Sequence, residues 1–178
     1  VYRRLSQVPS DPRYLKTEVK NRVTVEVGRF VVSNDANTEL VTFALGSCVA
    51  VILHDPTRCA GGMIHFRLPL SSADPDKARA MPGTFADTGI PALFRGMYAL
   101  GCDKRDLVIK LAGGAAMNGD RERFDIGARN LVIARRILWQ SRLLVAAEAV
   151  GDSVPRTVYL DVQSGRCIIG CPKEEFDL

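Results

Sequence analysis

The sequence predicts an α+β fold, a mixed or largely antiparallel β-sheet core with helices, in one domain. Segments with the alternation or β-branched content of strands outnumber the two segments with helical spacing. Several successive strands are joined by loops too short for a crossover helix, which argues against a doubly wound parallel sheet. A chain of 178 residues, 47% hydrophobic and 25% charged, is large enough for one core that buries about 70% of the unfolded surface without disulfide or metal support.

Residues 1–22 are polar, hold two prolines and lack periodicity, so they read as an N-terminal arm ahead of a single domain over residues 23–178. The arm carries Arg3, Arg4, Arg13, Lys16, Lys20 and Arg22 against Asp11 and Glu18, the whole of the net charge of +4. The remaining residues balance, so the folded body lacks the basic stripe of a nucleic-acid reader. Val23, Val25 and Val27 alternate with polar residues as a half-buried strand, and Phe30-Val31-Val32 continues it after Gly28. Ser33 to Asn37 is a turn cluster. Leu40 to Leu45 and Val49 to Leu53 are apolar strands separated by Gly46-Ser47-Cys48. Asp55-Pro56 turns the chain, because the residue before proline avoids the helical region, and Gly61 to Phe66 follows as a strand.

Residues 69–88, rich in Pro, Ser, Asp and Gly, form the longest irregular stretch. A helix capped by Asp87 or Thr88 follows, with Ile90, Leu93, Phe94, Met97 and Tyr98 at helical spacing and Gly101 at its end. Leu107 to Ala112 is a buried strand leading into Gly113-Gly114. A second helix spans Ile126 to Gln140. Leu143 to Ala147, Thr157 to Val162 and Arg166 to Ile169 are late strands, the last two joined at Gln163-Ser164-Gly165.

The five cysteines are an odd set, and Cys167 and Cys171 are four apart rather than three, so reduced thiols are expected and no metal or other cofactor. No apolar run is long enough for a membrane span and no secretory leader is seen, so a soluble, cytoplasmic protein without membrane insertion is expected.

Cys48 sits at a break between two strands, where a side chain can point out of the sheet and its N–H can help form an oxyanion hole. On position alone, the commoner fate of such a thiol is a small buried core residue. Catalysis would need a nearby imidazole. His54, six residues along an extended strand, lies about 20 Å from Cys48 and cannot serve. A return turn centred between Pro56 and Thr57 sets Cys48 opposite His65, and a centre one residue away makes them diagonal neighbours. In both cases the Cβ atoms come within about 5 to 8 Å. Without that hairpin, His65 reads as a satisfied, half-buried histidine. Thr42, on the preceding strand, can offer its hydroxyl to the ring, although a threonine there also suits a strand for its own sake. Gly113-Gly114 permits close backbone approach but matches no phosphate-binding fingerprint.

Thr42, Cys48 and His65 lie within Leu45-Gly46-Ser47-Cys48-Val49-Ala50-Val51 and Gly61-Gly62-Met63-Ile64-His65-Phe66-Arg67-Leu68-Pro69. With Ala112-Gly113-Gly114-Ala115, Ile126-Gly127-Ala128-Arg129-Asn130 and Ser164-Gly165-Arg166, they resemble the chemoreceptor glutamine deamidase family, CheD, over about residues 23–170. The resemblance implies a sandwich-like core of β-sheets with helices packed outside, similar to the catalytic domains of toxin deamidases. It implies Cys48 as nucleophile, His65 as base and Thr42 as orienting hydroxyl, with Gly46, Ser47, Gly113, Gly114 and Asn130 near the substrate pocket or oxyanion site. The implied substrates are glutamine side chains on the helical cytoplasmic domains of methyl-accepting chemotaxis proteins, and some members are implied to bind the CheC-type phosphatase. The chain departs from the family pattern at Ala128, over Gly151 to Thr157, and in its N-terminal arm. The alternative is a docking module for such a phosphatase or receptor, with the thiol idle.

Overall fold

The computed structural model describes residues 3–4, 20–116 and 126–178, and the basic arm falls mostly outside them. In chain order the described elements are β1 (Arg3–Arg4), β2 (Asn21–Thr24), β3 (Arg29–Ser33), β4 (Thr38–Leu45), β5 (Val49–Asp55), β6 (Ala60–Phe66), α1 (Pro75–Ala80), α2 (Ala86–Ala99), β7 (Val108–Gly113), α3 (Ile126–Gln140), β8 (Ala147–Val150), β9 (Arg156–Asp161), β10 (Cys167–Cys171) and β11 (Glu174–Asp177). They form two sheets, ordered β1-β11-β10-β9-β4-β2 and β3-β6-β5-β7-β8. The pairs β2–β4 and β7–β8 are parallel and the other pairs antiparallel, so both sheets are mixed, as expected.

Two apolar layers organise the molecule. Leu40 and Leu45 of β4, Val158 and Leu160 of β9, and Ile169 of β10 pack with Ala50, Ile52 and Met63 of the second sheet, which closes a sandwich. On that sheet's far side Val49, Val51, Leu53, Ile64 and Phe66 pack with Ile90, Leu93 and Met97 of α2 and Leu131, Ala134 and Leu138 of α3. The strands β5 and β6 therefore lie between two layers and are buried along their whole length. That double burial is why Val49 to Leu53 is uninterrupted apolar sequence, whereas β9 at the outside alternates buried and half-buried residues.

The β5–β6 hairpin pairs Val49 with Phe66 and Ala50 with His65. Its centre lies between Thr57 and Arg58, one residue later than the symmetric turn and within the expected range. Asp55 explains the extra length: its Oδ1 accepts from the N–H groups of Thr57 at 2.9 Å and Arg58 at 3.1 Å. Cys59 closes the four-residue loop in a left-handed conformation, φ 47°.

Four expectations are corrected. Val23 to Val32 is not one strand: β2 ends at Thr24, Val27 is exposed, and the turn at Gly28 carries the chain to the other sheet, where β3 pairs β6. Residues 69–88 are not irregular throughout, since they contain α1 and 3-10 turns at Ser71–Ala73 and Pro82–Thr84. Neither Asp87 nor Thr88 caps α2. The helix starts after Phe85, because the Asp87 carboxylate binds the N–H and hydroxyl of Ser71 and Thr88 Oγ1 donates to Pro82 O. The strand placed at Leu143 begins only at Ala147, and Leu144 is exposed. β11, with its Glu-Glu start and no apolar alternation, carries no strand signal. It forms because β10 offers it a partner.

Candidate active site

The two sheets meet at one end of the sandwich through Thr42 of β4 and His65 of β6, both buried. Thr42 Oγ1 lies 2.7 Å from the carbonyl of Val25 and 2.8 Å from His65 Nδ1. A carbonyl can only accept, so the hydroxyl proton goes to Val25. The oxygen then accepts from Nδ1–H, which fixes the tautomer and leaves a lone pair on Nε2. That Nε2 is buried with no hydrogen-bond partner among the described residues. The main chain holds the ring's strand as well, through Gly28 N to His65 O at 2.7 Å.

Cys48 precedes β5 by one residue. It lies two positions before Ala50, the residue opposite His65, and is therefore its diagonal neighbour. A bulge prepares the approach to it. The β4–β9 register slips between Thr42 and Leu45, with Ala44 at φ 55°, so that Leu45 faces the inter-sheet core as Leu40 does. The next three carbonyls are each held. Gly46 O accepts from Ala115 N at 2.8 Å, Ser47 O from Asn130 Nδ2 at 3.0 Å, and Cys48 O from Gly114 N at 2.7 Å. Gly113 is pressed against this turn: a Cβ there would lie 2.3 Å from Cys48 O. Asn130 also donates to Arg67 O at 3.0 Å, so one buried amide ties the turn before Cys48 to the segment after His65.

Gly113, Gly114 and Asn130, expected near the pocket, thus support the turn from behind. Both amide hydrogens of Asn130 are spent on main-chain carbonyls, which leaves none for an oxyanion. Gly46 and Ser47 form the turn itself. His54 lies toward the other end of β5, opposite Gly61, with its Nε2 donating to Val162 O at 3.1 Å. The partners that sequence reasoning missed are the Val25 carbonyl, which no residue type signals, and the amide bridge of Asn130, whose reach depends on how α3 docks.

Burial pushes the Cys48 thiol above its ordinary 9.0, with Arg67 opposing, and lowers His65 from 6.5 to about 4. Both shifts favour the neutral thiol and neutral imidazole at pH 7. Such neutral groups do not form a preformed ion pair, and the Cys48 thiol makes no hydrogen bond to Nε2, whose lone pair is left available to take a proton.

The family model described as CheD chemotactic sensory transduction matches residues 67–170. A probable chemoreceptor glutamine deamidase CheD 2 of Anaeromyxobacter dehalogenans is 49% identical over 147 residues, 83% of this chain and 92% of that protein. A probable chemoreceptor glutamine deamidase CheD 1 of Syntrophus aciditrophicus is 44% identical over the same length and the same shares. A similar protein from Thermococcus kodakarensis is 36% identical over 146 residues, 81% of this chain and 89% of that protein. The family model begins after His65, but a 147-residue stretch of a 178-residue chain must include residues 32–147 wherever it starts, so the two bacterial matches span Thr42, Cys48 and His65.

Proposed function

The chain belongs to the CheD family, and from that premise we propose that it hydrolyses the side-chain amide of glutamine on chemoreceptors, giving glutamate and ammonia. The observation that carries the mechanistic reading is the 2.8 Å contact between Thr42 Oγ1 and His65 Nδ1, which turns a bare Nε2 toward use as a base. Cys48 sulfur attacks the carboxamide carbon while its proton passes to Nε2. The tetrahedral oxyanion is stabilised by the backbone N–H of Cys48. His65 returns the proton to nitrogen, the C–N bond breaks, and ammonia leaves a thioester. Water then attacks with Nε2 taking its proton, the C–S bond breaks, and the thiol is restored. The new carboxylate adds negative charge to a receptor helix, which can bias a two-state signalling assembly. Its place of work on this reading is the cytoplasm, and a CheC-type phosphatase is a further partner to test by direct binding.

The test is incubation of a receptor cytoplasmic fragment with the protein, followed by mass spectrometry. Glutamines gaining one dalton are expected with wild type and not with Cys48→Ala. Turnover that survives Cys48→Ala removes this nucleophile, and an inactive wild type favours the docking module.

A further inference from the structure

We infer that Arg67 is the electrostatic partner of Cys48, a cation at the mouth of the sandwich that stabilises the thiolate as the sulfur loses its proton. The inference rests on the reading of Cys48 as nucleophile and adds a residue to it. Along β6 and just beyond, Met63, His65 and Arg67 share one face of the strand. Met63 is in the inter-sheet core, His65 is buried at its end, and Arg67 emerges into solvent. The β5–β6 register pairs Val49 with Phe66, and its next step sets Cys48 against Arg67. The main chain of Arg67 is held on both sides, its N–H by Thr84 O at 3.1 Å and its carbonyl by Asn130. Its side chain therefore projects from a fixed base.

A cation beside the sulfur eases its loss of a proton. With the thiol raised and the imidazole lowered by burial, proton transfer between them is uphill, and His65 alone supplies little driving force. Among the described residues the surroundings offer few other charges. Thr42, Asn130 and the Gly113–Ala115 segment facing the Cys48 turn are uncharged. Arg129 borders a separate cavity of about 330 Å³ with Leu68, Leu70 and Ile126. Arg156, opposite Leu45, gives its guanidinium to the carbonyls of Gly151 and Val154. Among the described residues Arg67 is the charge that acts on Cys48, in the direction that favours the thiolate.

The test reads the thiol directly, so it does not depend on any receptor. Alkylation of Cys48 by iodoacetamide, which is uncharged, is followed against pH by peptide mapping in wild type, Arg67→Met, Arg67→Gln and Arg67→Lys. Loss of the cation moves the titration midpoint up by about half to one pH unit, a roughly three- to tenfold slower reaction at pH 7.5. Arg67→Lys stays within about twofold of wild type, and 0.5 M KCl narrows the gap between wild type and Arg67→Met. A merely structural role would not move a midpoint and recover it with lysine. Coincident profiles for wild type and both neutral variants overturn the inference. An Arg67-dependent midpoint in a protein that deamidates no receptor leaves the inference standing and removes the deamidase reading instead.

Discussion

A hydroxyl has one proton to give, and the use of that proton decides what its neighbour can do. Thr42 gives its proton to Val25 O and so must accept from His65, which leaves Nε2 free of hydrogen. Thr42→Val preserves shape and removes that choice. We expect kcat/KM on a receptor fragment to fall by about 10- to 10³-fold, short of the roughly 10⁴ seen where the orienting group is a charged carboxylate. The buried Nδ1–H loses its acceptor, which costs about 1 to 3 kcal/mol in chemical denaturation. Thr42→Ser keeps the oxygen and should keep most activity. A Thr42→Val protein as active as wild type would contradict the assigned tautomer.

At the scale of elements, the Cys48 turn is placed by two neighbours that approach from different parts of the chain, the end of β7 and the buried face of α3. Gly113 is where β7 touches it, at φ 100° with no room for a side chain beside Cys48 O. Gly151 has a similar φ of 77° but nothing within 4 Å of an added Cβ. The pair separates backbone strain from collision. Gly151→Ala should cost about 1 to 2 kcal/mol, the price of the left-handed backbone alone. Gly113→Ala should cost clearly more, about 3 kcal/mol or above, and should slow deamidation as the Gly114 N to Cys48 O bond is displaced. Equal losses of stability would mean that contact with Cys48 O is easily relieved. These elements also mark the limit of local reading. The apolar run Val49 to Leu53 of β5 was legible because burial on both faces leaves it no polar position, and the turn at Asp55-Pro56 marked where β6 returns. β11 and the true start of β8 were not, because both are four-residue strands that take their conformation from the neighbours they pair with rather than from their own side chains.

For the whole molecule, placing an imidazole between two sheets couples folding to pH. His65 titrates near 6.5 when unfolded and near 4 when folded. Between those values the unfolded chain binds a proton that the folded chain does not, so stability rises with pH. The contribution is complete above about pH 6.5 and is lost as pH falls toward 4, up to about 3 kcal/mol. His54 is lowered in the same direction. Urea midpoints measured from pH 7.5 to 4.5 should fall steeply in wild type and less steeply in His65→Gln; equal slopes would rule out the coupling. The amino-acid order alone determined the α+β class, the β5–β6 hairpin to within one residue, and the exclusion of His54, because local periodicity and chain length set those. It also singled out Thr42, Cys48 and His65 as residues to watch. Only the tertiary structure decided that Thr42 on one sheet meets His65 on the other, that Val25 takes the hydroxyl proton, and that Asn130 ties two strand ends together. Those contacts join residues 17 to 83 positions apart, and no local pattern encodes which carbonyl a folded chain will bring within 3 Å of a buried donor.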